Sequence, residues 1–356
     1  MDFQPFDASK NLDEQRELFV ACFPENQNTS SVSKEHYQWK FHTFPAKPHS
    51  YEFCGYDQSK MVSYYAALPY RYSIHGEEQL CGMVCDVMTH PNMRGKGVFT
   101  KIGHYSTDQL KQLGIDFTSG YPIRPEVIPG HLKVGWKIVF KLPIYIQFYR
   151  FNAVFKSKNL SFLSPFANIA TACWRLLLKI FERKFGGTFE IIDQNHINKI
   201  PGYDSFFEQW KKNIPNALFK TPDFLYWRTH APGSEYDIIL LRDKSGLIGF
   251  CLTRFTALEK IPCVAILDWM LLEGKDRARF SLNRALYSLV RRYRAEAVVT
   301  MMSPYWAERY GLWKLGFIRS PYAFSMIIKK LNDRISDEKL YNEKDWHLMW
   351  IDSDDL

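Results

Sequence analysis

Cys81-Gly82-Met83-Val84-Cys85-Asp86-Val87-Met88-Thr89-His90-Pro91-Asn92-Met93-Arg94-Gly95-Lys96-Gly97-Val98-Phe99-Thr100-Lys101-Ile102 is the stretch on which the fold turns. Its first nine residues are mostly small or apolar and favour a strand, which Pro91 ends because proline cannot donate to a ladder. Arg94-Gly95-Lys96-Gly97 bends the backbone, and Val98, Phe99, Ile102, Tyr105 and Leu110 recur at a helical period up to about Leu113. A glycine-rich turn that opens a helix points several unpaired N–H groups one way, at the positive end of the helix dipole. Such a turn suits an oxyanion. Gly95 and Gly97 remove side chains that would hold a diphosphate off the backbone, and Arg94 and Lys96 add charge at the rim. A Walker loop needs Gly-Lys-Ser/Thr after a longer glycine-spaced run, and a dinucleotide fold needs a third glycine and a later acidic residue; neither pattern is evident.

Val87 to Gly97 resembles the signature of GNAT acetyltransferases, in which Arg or Gln, two residues, Gly, one residue, then Gly or Ala follow the fourth strand. Arg94 and Gly97 fill the first two defined positions, and Phe99 stands where the family has a small residue. The resemblance runs through Gly114-Ile115-Asp116-Phe117-Thr118-Ser119-Gly120 to Lys133-Val134-Gly135-Trp136, so it covers about residues 10 to 150. It implies that Val87, Met88, Thr89, Arg94, Gly95, Lys96, Gly97, Val98, Phe99 and Thr100 bind acetyl-CoA or another acyl-CoA. The thiol arm would lie between a parallel, splayed fourth and fifth strand, with backbone N–H groups near Val87 and Met88 polarising the thioester carbonyl. The activity it implies is N-acetyl transfer to a primary amine by direct attack.

A second set of landmarks follows in the same order. Tyr37-Gln38-Trp39-Lys40, strands at 51–56 and 61–68 and Lys133-Val134-Gly135-Trp136 are echoed by Leu225-Tyr226-Trp227-Arg228, strands at 236–241 and 247–255 and Lys314-Leu315-Gly316-Phe317. The expectation is an α/β fold with an α+β mixed sheet: two GNAT-like domains, each a mostly antiparallel sheet with a parallel, splayed central strand pair and flanking helices. The domains are placed at 1–150 and 200–335, with a linker at 151–199 and a C-terminal extension at 336–356. At the second copy's turn, 271–280, the paired glycines are missing, so that half is expected to shape a substrate cleft or pack structurally. The amine would then sit in an aromatic-lined cleft between the halves.

In the linker, Trp174, Leu176, Leu177, Ile180 and Phe181 share an apolar side of a helix over 166–185, flanked by Arg175, Lys179, Arg183 and Lys184. Two readings stay open for it, a connector packed on a domain and a basic interfacial helix touching an acidic membrane.

The 46% hydrophobic and 24% charged content is that of a globular chain with real cores. Its net charge of +8 favours anionic partners, but the basic clusters, 291–294 and 329–330, read as solvated element ends, so nucleic acid is not expected. From seven scattered cysteines without a CxxC pair, and an N-terminus without a basic and apolar leader, the expectation is a chain of the reducing cytoplasm. No histidine pair has metal-ligand spacing, and no metal is expected.

For the chemistry, an acid must protonate the departing thiolate and a base must keep the amine neutral. His131 stands four residues before the glycine of the Gly-aromatic pair, where the resemblance places a Tyr acid; Tyr121, after the fifth strand, is its rival. Asp86, a carboxylate inside an apolar strand, is the first candidate base, with His90 and Glu126 behind it. Cys85 could carry a covalent acyl group but has no visible paired base.

Overall fold

The decisive stretch folds into a strand, a single 3-10 turn at Pro91–Met93 and a 15-residue helix. In the computed structural model the described residues are 1–122, 124–185 and 187–353, the side chains of 157 and 181–185 excepted; the expected places of Phe181, Arg183 and Lys184 lie outside them. Two compact units divide the chain. One comprises 1–140, 230–234 and 324–342, the other 141–229, 235–323 and the chain from 343 on.

The first unit contains β1 (Asp2–Pro5), α1 (Ala8–Cys22), α2 (Lys34–His42), β2 (Tyr51–Asp57), β3 (Lys60–Ile74), β4 (Glu77–Thr89), α3 (Val98–Gln112), β5 (Phe117–Gly120) and α4 (Ile128–Lys133). β6 (Lys137–Phe148) leads into the second unit. There follow α5 (Asn152–Ser157), α6 (Ser164–Phe185), β7 (Thr188–Asp193), α7 (Tyr203–Lys211), β8 (Asn216–Leu218), α8 (Pro222–Thr229), β9 (Asp237–Asp243), β10 (Gly246–Leu258), β11 (Ile261–Leu271), α9 (Arg279–Arg292), β12 (Ala297–Met301) and α10 (Pro304–Arg309). β13 (Ile318–Lys330) returns the chain to the first unit, where α11 (Asp337–Tyr341) also lies.

Both units have the mixed sheet the sequence predicts. In the first, β1 to β4 pair antiparallel in order and β4 pairs parallel with β5. In the second, β7, β9, β10 and β11 pair antiparallel in order and β11 pairs parallel with β12. The closing strands, however, change places. The end of β13 pairs with β5 in the first unit, Ile327 opposite Gly120, while β6 pairs with β12 in the second, Val299 opposite Ile146. Sequential limits at 150 and 335 do not describe this exchange, and the expected linker belongs to the second unit. The reason is that strand pairing is non-local: an apolar strand pattern says that a neighbour exists, not which edge supplies it.

The first unit's core lies between its sheet and α3, where Ile102 and Leu110 meet Phe53, Tyr65, Ala67, Val84, Trp136 and Ile327, all buried. α1 starts at the Asp7 cap, which accepts from the Ser9 amide, and turns Leu18, Phe19 and Cys22 inward. Thus α3 is held with its N-terminus at the end of β4.

Candidate functional site

The turn between β4 and α3 is exposed from Arg94 to Gly97. Gly95 and Gly97 both take φ near +76°, the left-handed region, and a Cβ at either would meet nothing within 4 Å. Gly97 caps α3 with no side-chain hydrogen bond. Among the described residues the amides of 95–100 have no acceptor, whereas Lys101 already donates to the Gly97 carbonyl at 3.1 Å. Six consecutive N–H groups at a helix start are thus without an acceptor among the described residues, those of Gly95 to Gly97 on exposed residues, the arrangement that binds a phosphate or diphosphate.

Beside this turn the sheet parts. β4 and β5 pair only over Cys81–Phe117, Gly82–Thr118 and Met83–Ser119, leaving the rest of β4 without that neighbour. β4 also bulges against β3: Met88 faces Tyr64 and Cys85 faces Ala66, so Asp86 and Val87 together oppose Tyr65 alone. Asp86 takes φ +47°, unusual for a non-glycine residue. A bulge next to a splayed parallel pair can turn a backbone N–H into the gap, where an elongated thioester could lie.

Comparison with known proteins agrees with this geometry. Residues 8–139 match the acetyltransferase (GNAT) domain family. This segment is a GNAT domain. The chain's fold is similar to a GCN5-related N-acetyltransferase from Anabaena variabilis, at TM-score 0.65 and 12% identity over 93% of this chain and 73% of that one. A probable N-acyltransferase from Enterococcus faecalis (TM-score 0.62, 10% identity, 93% and 72% covered) and the Saccharomyces cerevisiae N-myristoyltransferase with bound myristoyl-CoA (0.58, 10%, 92% and 78%) share it too. No curated protein matches the chain.

Within the GNAT domain, Asp86, the first candidate base, is engaged in an ion pair. Its carboxylate binds Lys40 Nζ of α2 at 2.9 Å, both side chains being largely buried. Burial works against the Asp86 charge, but Lys40 and then Arg16 outweigh it and hold the carboxyl below its usual range. A carboxylate so stabilised accepts a proton poorly, which works against a role as base, and the pair ties the bulge to α2. Sequence reading missed Lys40 and Arg16. The available signal was a lysine inside the aromatic run Tyr37-Gln38-Trp39-Lys40-Phe41, where Tyr37, Lys40 and Phe41 turn to the core. Arg16 Cζ lies 4.7 Å from the centre of the Phe19 ring. Nearby, Tyr37 and Tyr64 both donate to Glu52 Oε2.

His131 is placed by α4 in an apolar slot, its ring 5.0 Å from Phe99 and 5.0 Å from Trp136, both edge-on. Burial lowers its pKa to about 4. Burial so favours the uncharged imidazole, which works against the acid role that the family position implied. The ring is part of the seat for Phe99. Gly130 makes the remaining room, because a Cβ there would lie 2.6 Å from the Phe99 ring. The GNAT domain thus takes up the departure at Phe99 through α4.

Tyr121 is buried just past the end of β5, where the sheet has opened. Cys85 is also buried, and Glu126 lies in the short turn before α4. His90 caps the 3-10 turn by accepting from the Asn92 amide at 3.3 Å. Arg124, not singled out from sequence, bonds Glu25 and the Cys22 carbonyl and so ties the segment after β5 to the end of α1.

At the corresponding place in the second unit, a 3-10 turn at Asp276–Ala278 runs directly into α9. The Ala278 amide is used at 2.8 Å by the Lys275 carbonyl. Arg279 folds back onto the carbonyls of Asp276 and Tyr310, and a Cβ on Gly311 would strike its guanidinium. Arg279 thus lies over this helix start, while Glu273, Gly274, Asp276 and Arg277 around it are exposed.

Proposed function

We propose that the chain is an acyl-CoA-dependent N-acyltransferase that moves an acetyl group to a primary amine by direct attack in a ternary complex. The observation that carries this reading is the open row of amides at 95–100 beside the bulge and splay of β4. The pyrophosphate would accept from those amides with Arg94 and Lys96 at the rim, and the thioester would lie along Val87 and Met88. With His131 neutral, Tyr121 is the better source of a proton for the departing thiolate. The amine would lose its proton to water or to a group it brings near the bulge, since Asp86 is held by Lys40.

The second half, in this proposal, is a duplicated copy whose cofactor turn has closed. The fold similarity to acetyl-, acyl- and myristoyltransferases supports an acyl-CoA cofactor without choosing the chain length. Titration calorimetry with acetyl-CoA tests the cofactor: micromolar binding is expected, and no heat at millimolar concentration would sink the proposal. A second reading, a non-catalytic acyl-CoA sensor, draws on the neutral His131 and the paired Asp86. Thiol release from acetyl-CoA in the presence of amino sugars, amino acids, polyamines and peptides separates the two, because a sensor binds cofactor and releases none.

A further inference from the structure

α6 presents its apolar residues to water. With 100° between successive residues, Ser164, Asn168, Thr171, Arg175 and Leu178 form one face, and this face packs on the second unit. Asn168 accepts from the Phe151 amide at 2.8 Å, Thr171 donates to the Tyr149 carbonyl at 3.2 Å, and Ser164, Arg175 and Leu178 are buried. The opposite face carries Phe166, Ile169, Cys173, Leu177 and Ile180, with Leu176 at its edge. Phe166, Ile169, Leu176, Leu177 and Ile180 are each more than half exposed, from 53% to 72%. A connector would bury that stripe.

A cavity of about 280 Å³ opens on the flank of the stripe. Leu176 belongs to both. Arg150, Arg175, Lys179 and Arg291 line the cavity together with Tyr149 and Tyr287, and among the described residues no carboxylate does. The Arg175 guanidinium lies 3.7 Å from the centre of the Tyr287 ring and 4.6 Å from that of Tyr149. The side chain is 8% exposed, and neither terminal nitrogen has a hydrogen-bond partner. A buried guanidinium fork without an acceptor is costly, and a phosphate oxygen pair would satisfy it.

We propose that α6 lies on an anionic bilayer, with its apolar stripe at the level of the acyl chains and a lipid phosphate in the Arg175 cavity. Charge selects the occupant: four cations border one side of an apolar stripe, on a chain of net charge +8. The helix rests in the surface, and no helix among the described residues is long and apolar enough to cross a membrane.

The test is co-sedimentation of the full chain with vesicles of phosphatidylcholine alone and of phosphatidylcholine with phosphatidylglycerol. At least tenfold tighter binding to the anionic vesicles is expected, weakening as salt is raised. Leu176→Asp with Ile180→Asp should remove binding at least tenfold. Arg150→Gln with Arg291→Gln should lower it about fivefold per charge on anionic vesicles only. All four side chains are exposed, and circular dichroism verifies that the variants fold. Equal partition onto both vesicles, or binding indifferent to both double variants, overturns the proposal. So does a dimer, seen by sedimentation equilibrium, that the two aspartates dissociate in a chain that never binds vesicles, since a second copy would then cover the stripe.

Discussion

The two halves carry the same short motif at the same place in the sheet, Cys85-Asp86-Val87-Met88 on β4 and Leu267-Asp268-Trp269-Met270 on β11. Each aspartate is paired with a lysine, Asp86 with Lys40 at 2.9 Å and Asp268 with Lys220 at 2.6 Å. Their surroundings differ. Lys220 and Asp268 are fully buried, and burial raises the Asp268 pKa despite Lys220, whereas Lys40 and Arg16 lower that of Asp86. The helix starts differ in parallel: the amides at 95–100 have no acceptor among the described residues of the GNAT domain, while at the other the Ala278 amide is used and Arg279 folds back over the turn. One half has its fourth strand partly exposed and its turn amides without acceptors; in the other the lysine–aspartate pair is dry and Arg279 folds over the helix start. A shared scaffold can thus be a ligand site or a core, depending on a few side chains at one sheet edge.

The largest effect expected from this contrast is on stability. Asp268→Ala leaves Lys220 charged in a dry interior and should cost about 3–5 kcal/mol, while Asp86→Ala, with Lys40 nearer water, should cost about 2 kcal/mol. Denaturant unfolding of both variants measures the difference, and equal losses would mean that the two pairs are equally solvated. A further test concerns histidine. His131 has a folded pKa of about 4 against about 6.5 when unfolded. The unfolded chain therefore binds the extra proton first as pH falls. The stability due to neutral His131 is fully present above about pH 6.5 and is lost down to pH 4, up to about 3 kcal/mol. His131→Gln should flatten that part of the pH profile. His347, whose burial in the second half also depresses its pKa, should retain its own share in that variant.

Next in size is the cofactor. Gly97 and Gly274 make a matched pair, both at φ near +75° with nothing within 4 Å of a Cβ. Tryptophan at either position imposes a similar backbone strain. Gly97→Trp should weaken acetyl-CoA binding about 100-fold, equivalent to about 2.7 kcal/mol, and Gly274→Trp should leave it within about twofold. Calorimetry that finds both affinities unchanged would remove the turn at 94–97 from the site.

How much of this was legible follows the range of the interactions. The strand, turn and helix at 81–112 could be read because their signals are local: apolar residues up to Thr89, then Pro91, Gly95 and Gly97, then a 3.6-residue period. Of the hairpins after β2 and β10, the first was legible from its polar turn at 57–60 and the second was not. They turn through Gln58-Ser59 and Glu259-Lys260, all at positive φ, where Asn-Gly would have announced a two-residue turn. Asp86 was visible as a carboxylate in an apolar strand, but its partner Lys40 is 46 residues away, so pairing and catalysis left the same trace. The exchange of β6 and β13 was hidden for the same reason. α6 misled in another way: its amphipathic pattern was read correctly, yet pattern alone does not say which face meets protein.

The smallest effect sharpens the case of Phe99. The GNAT turn expects a small residue there, and this chain compensates with Gly130, whose missing side chain leaves the ring its place against His131. Gly130→Ala puts a Cβ 2.6 Å from that ring. Because Phe99 is only partly buried it can rotate outward, so the expected cost is near the low end for overpacking, about 1 kcal/mol. Phe99→Ala in the same chain should recover most of it, since the clash and its relief involve one pair of side chains and the two changes will not be additive. If Gly130→Ala is instead as damaging with Ala at position 99 as with Phe, then α4 needs this glycine for its own backbone, and the account of how the turn tolerates a large residue has to be given up.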